Sequence, residues 1–92
     1  MKDGLAGAHL YLGMHWLDKG QNEEAERHLR QAVTLAEHDV DARLNLGRAL
    51  HNLNRSVEAE EEFDRVIALD PKAPLARFHR GMVRQALGDL DA

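Results

Sequence analysis

The 92-residue chain contains no cysteine, only two prolines, a single serine, and among aromatics one tryptophan, one tyrosine and two phenylalanines. Without thiols, neither disulfides nor thiolate metal sites can staple the fold. A chain of this size buries only about 60–65% of the surface its unfolded form exposes, so helix or sheet packing must supply the stability. The same absence suits a reducing compartment, and we read the chain as cytoplasmic. No long apolar run is present: the N-terminal stretch after Met1-Lys2-Asp3-Gly4 is interrupted by His9, Gly13 and His15, and no signal peptide or membrane span is visible in it. Basic excess is lacking too. The formal net charge of −4 argues against nucleic acid, whose phosphates call for a basic stripe.

Recognisable chemistry is equally sparse. The glycines are isolated, so no phosphate-cradling loop forms, and Ser56 lies at a helix start with no evident base beside it. None of the six histidines stands three or four residues from another, and neither His-Glu-x-x-His nor paired cysteines occur. The sequence therefore points to no metal, no cofactor and no enzyme activity.

What the chain does have is a period. Gly13, Gly47 and Gly81 stand 34 residues apart. The same offset relates Ala8, Ala42 and Ala76, Leu10 and Leu44, Glu24-Ala25-Glu26 and Glu58-Ala59-Glu60, Leu29 and Phe63, Ala32 and Val66, and Leu35 and Leu69. A fixed period of this length marks a stacked-repeat architecture. Within it, apolar residues fall at helical spacing, as in Leu29, Ala32, Val33 and Ala36. Gly20 and Asn54 suit left-handed C-terminal caps, Asn22 and Ser56 suit N-caps, Asp70-Pro71 stops a helix and Pro74 starts one. These signals predict helices at roughly 5–19, 23–36, 40–53, 57–70 and 74–87.

With that period and that helix–turn–helix unit, the chain resembles the tetratricopeptide repeat family over essentially its whole length. The resemblance rests on Gly13, Gly47 and Gly81, on Ala25 and Ala59 at the hairpin crossing, on the bulky Leu29 and Phe63, and on Pro71 between repeats. It implies an all-α superhelix of five helices: two full repeats at about 6–39 and 40–73 and the first helix of a third at 74–92, a fragment of something longer. The packing expectation is that glycine faces alanine where the helices cross, with Gly81 serving the same purpose. There are departures. His9, Arg43 and Arg77 replace an early aromatic, Glu37 stands where the first inter-repeat proline would be, and Trp16 is placed to restore bulk. In the third unit Arg77, Arg80 and Arg84 form a basic stripe opposite Leu75, Phe78, Met82, Val83, Ala86, Leu87 and Leu90. That stripe reads either as a solubilising end cap or as half of a pairing with a further acidic helix.

The resemblance further implies a concave groove lined by the first helix of each repeat. Carried over by position, the lining comprises Leu10, Tyr11, Met14 and Leu17, then Leu44, Asn45, Arg48, His51 and Asn52, then Leu75, Phe78, His79 and Met82. Such a mixed, apolar-floored surface suits an extended or helical peptide, with Asn45 and Arg48 as polar anchors. Asn45 matches one asparagine of the family's carboxylate clamp, but Leu10, Met14, Leu75 and His79 occupy its lysine and arginine positions, so chaperone-tail binding is not expected. The glutamate run 58–62 reads as a solvated outer surface, with Glu61 and Arg65, Glu23 and Arg27, and Glu26 and Arg30 paired one turn apart. The functional expectation is a protein-interaction module for a peptide or partner helix. Alternatives are a segment that self-associates into a homo-oligomer and a docking or regulatory part of a larger enzyme.

Overall fold

The computed structural model describes residues 2–88, which form five α-helices in chain order: α1 (Lys2–Asp18), α2 (Asn22–Leu35), α3 (Val40–Asn52), α4 (Ser56–Leu69) and α5 (Pro74–Gly88). Leu90, assigned above to the apolar face of the last helix, lies outside the described residues. Each helix packs on the next, and α1, α3 and α5 also touch one another in a row. The result is an open α-α stack of 47 × 28 × 18 Å. No helix among the described residues is long and apolar enough to cross a membrane.

The turns follow the chain's few special backbone residues. Gly20 (φ 77°) and Asn54 (φ 63°) occupy the left-handed region at equivalent hairpin turns, which glycine reaches without a Cβ penalty and asparagine tolerates. The helix starts differ from expectation. Asn22 and Ser56 are not caps but first helical residues, preceded by Gln21 and Arg55, neither of which makes a side-chain cap bond. The Asn22 side chain is engaged elsewhere, its Oδ1 accepting from Asn52 Nδ2 at 3.1 Å. Instead Asp39 caps α3, accepting from the Ala42 N–H at 3.1 Å.

Packing at the hairpin crossing also departs from the glycine-against-alanine expectation. Ala25 and Ala59 are fully buried, but each glycine lies directly beneath the bulky residue. A Cβ on Gly13 would come 2.5 Å from Leu29 Cγ, and one on Gly47 would come 2.6 Å from the Phe63 ring. The glycines are thus sockets for Leu29 and Phe63, letting α1 approach α2 and α3 approach α4 closely. Gly81 is different: among the described residues a Cβ there would meet nothing within 4 Å, so the packing role assigned to it is absent. A core joins Leu17, Ala25, Leu29, Leu46, Ala49, Leu50, Ala59, Phe63 and Val83, with Trp16 packed against it. Val66, Ala73 and Ala76 form a smaller cluster between α4 and α5.

The departures from the family pattern support each other. Arg43, in the aromatic's place, donates from Nε to the Glu37 carbonyl at 2.7 Å, tying down the turn that lacks a proline. One period later Arg77 donates to the Pro71 carbonyl at 3.2 Å. An arginine strap therefore holds both inter-repeat connections.

Candidate functional site

Helices α1, α3 and α5 adjoin in a row, and the residues expected to line a groove lie on them. Along its two ends the apolar side chains stand open: Tyr11 is 72% exposed, Met14 44%, Phe78 62% and Met82 42%, and Leu75 is exposed as well. Leaving several large apolar groups in water on one row of positions is costly unless something covers them. The middle of the row is polar, with Arg48 and His51 half-buried and Asn52 exposed.

Two lining assignments change. Leu17, 8% exposed, belongs to the core, and Leu10 and Leu44 pack partly against it. Asn45, 6% exposed, does not present its amide to a guest. Its Nδ2 donates to the Asp41 carbonyl at 2.8 Å and its Oδ1 accepts from Arg48 Nη1 at 3.0 Å. Asn45 therefore holds the guanidinium of Arg48, which is itself half-buried.

His79 sits where α5 meets this patch, stacked on Phe63 with ring centres 5.7 Å apart and edge-on to Phe78 at 5.4 Å. Burial, followed by the neighbouring Arg48 and His51, holds its imidazole below the ordinary value of 6.5. His51 Nδ1 is buried without a hydrogen-bond partner among the described residues. Between α3 and α5 the Arg48 guanidinium thus neighbours the His79 ring, itself beside the exposed Phe78.

The outer surface is not the simply solvated face the glutamate run suggested. Glu58 bonds Arg55 at 2.8 Å and Arg30 at 3.1 Å, and Glu26 bonds Arg30 and Arg55 at 2.7 Å each. This network bridges α2 and α4, and the hydrogen bond from Arg55, then nearby cationic charge, holds Glu58 below the usual carboxylate range. Glu62 pairs with Arg43 at 2.9 Å, Glu60 with Arg84 at 2.8 Å and Asp64 with Arg80 at 3.1 Å. Of the pairs expected along one helix, Glu26 and Arg30 form, whereas Arg27 turns to Glu24 at 3.3 Å and Glu61 with Arg65 makes no ion pair among those described. Of the basic stripe of α5, Arg80 and Arg84 are thus paired with α4 and Arg77 with the connection before α5. An open notch of about 510 Å³ lies over this network, but Arg27, Arg30 and Arg55 along it are already paired.

Sequence spacing missed one juxtaposition: His9 and His28, 19 residues apart, bring their Nδ1 atoms to 3.3 Å. No periodic pattern of histidines signals it, because it depends on the α1–α2 crossing. Among the described residues no group of three or more His, Cys, Asp and Glu side chains is placed to hold a metal ion.

Comparison with known proteins agrees with this geometry. A family model described as tetratricopeptide repeat matches residues 17–90. The protein O-mannosyl-transferase Tmtc3 of Drosophila melanogaster is 38% identical over 63 residues, covering 67% of the chain. The chain spans 7% of that relative's length. A solved structure, the Arabidopsis OM64 TPR domain, superposes with a TM-score of 0.84 at 24% identity, over 90% of this chain and 69% of that one; this is a likeness of fold.

Proposed function

The chain belongs to the tetratricopeptide repeat family, and from that premise we propose that it holds a peptide or partner helix against the face of α1, α3 and α5. One observation carries this reading: on the two helices that flank α3, Met14 and Met82 are left exposed at equivalent positions of the repeat, with exposed Tyr11 one turn from the first and exposed Phe78 one turn from the second. The thioethers and rings offer adaptable contact area, and Arg48, held by Asn45, supplies a directed donor to a backbone carbonyl or carboxylate between them. The chain acts as a module for binding and contributes no reaction centre of its own. Its partners are proteins, the net charge of −4 disfavouring nucleic acid, and the cysteine-free composition suits the cytoplasm.

The test is a displayed peptide library selected on the full chain. Selected peptides should lose at least about tenfold in affinity, roughly 1.4 kcal/mol, on Phe78→Ser or Arg48→Glu and keep it on Glu61→Gln. Equal binding to Phe78→Ser and the parent chain would defeat the proposal. Light scattering over a dilution series identifies the case in which a second copy is the guest.

A further inference from the structure

The positions of His9 and His28 recur one period later as Arg43 and Glu62, whose ion pair closes at 2.9 Å. The hairpin crossing therefore brings these two positions together whatever stands there. In the second hairpin opposite charges answer each other. In the first, two half-buried imidazoles meet, ring centres 5.5 Å apart and planes inclined by 27°, with the Nδ1 atoms on the facing sides at 3.3 Å. Each neutral ring has one N–H and one bare nitrogen, so the pair is held either by one shared proton or by something that accepts both lone pairs.

We propose that His9 and His28 form a two-histidine chelate for a nitrogen-preferring first-row divalent cation of the zinc, nickel and copper class, clasping α1 to α2. Tetrahedral zinc, with bonds of about 2.0–2.1 Å to imidazole, sets two ligand nitrogens about 3.3 Å apart. That is the separation found, whereas it is long for a direct hydrogen bond. Turning each ring by about 35° converges the lone pairs on one point, and both side chains are exposed enough to allow it. With no third protein donor in the described residues, water completes the coordination. The site is open, and its affinity follows the order in which copper binds most tightly.

The experiment titrates Zn²⁺ into the full chain and follows imidazole nitrogens by ¹⁵N NMR. The Nδ1 signals of His9 and His28 should shift together and saturate at one zinc per chain, while His15, His38, His51 and His79 stay in place. His9→Gln and His28→Gln should each weaken binding at least about tenfold, since losing even a supporting group of a metal site costs that much, and should abolish any rise in melting temperature with Zn²⁺. If a variant fails to fold, the nitrogen shifts of the parent chain decide. Saturation at other histidines first, unchanged affinity in either variant, or no joint shift at about a tenfold excess of Zn²⁺ would overturn the chelate.

Discussion

The two complete hairpins are built on one plan and finished differently. Both seat a bulky residue of the second helix on a glycine of the first, Leu29 on Gly13 and Phe63 on Gly47, and both turn through a left-handed residue, Gly20 or Asn54. At the neighbouring pair of positions the first hairpin brings imidazole to imidazole and the second brings guanidinium to carboxylate. The glycine socket tolerates no substitution of size, because backbone separation depends on it. The half-buried rim pair sets only which two side chains meet, so it is free to carry an ion pair in one copy and a ligand set in the other.

Breaking the shared part should cost most. Phe63→Ala, emptying the fully buried socket side chain of the second hairpin, is expected to destabilise by about 3–5 kcal/mol, read as a fall in the urea midpoint. Leu29→Ala should fall at or below that figure, and a reversed order would mean the first hairpin carries the core. Next come the glycines, where signs should differ. Gly47→Ala should destabilise by about 1–3 kcal/mol through overpacking against the Phe63 ring. Gly81→Ala, meeting nothing, should stabilise by up to about 1 kcal/mol from helix propensity. Melting curves of both check this, and a destabilised Gly81→Ala would reveal a neighbour for that face.

Converting the rim pair sharpens the comparison further. Arg43→His with Glu62→His should lose roughly 1.5–3 kcal/mol, because a largely buried ion pair and the Arg43 strap to the Glu37 carbonyl disappear together. If position alone makes the chelate, the double variant should take up a second Zn²⁺ per chain, counted by calorimetry. The smallest effect concerns His79. Its depressed folded-state value means the unfolded chain binds the proton more readily. The stability it contributes is thus complete above 6.5 and is lost as pH falls below that toward the folded value. His79→Gln should flatten the melting temperature across this window; an unchanged slope would show that other groups govern it.

The helices and the repeat register are legible in the chain because each is a local or strictly periodic property: apolar spacing near 3.6, glycines at a fixed offset, Asp70-Pro71 as a stop. Caps were less legible. Asn22 is drawn away by Asn52 from another helix, and Arg55 spends its guanidinium on Glu26 and Glu58. Which of the expected lining positions would be accessible was not legible, since the burial of Leu17 and Asn45 depends on how neighbouring helices close over them.

By itself, then, the sequence determined that this protein is a stack of helical hairpins and where they turn, because spacing and composition are carried along the chain. Only the tertiary structure decided that Gly13 and Gly47 are sockets while Gly81 is open, that Arg80 and Arg84 of α5 are answered by α4, and that His9 meets His28. Those facts concern residues 16 to 24 positions apart on different helices, and their contact is fixed by crossing geometry, which no local pattern encodes.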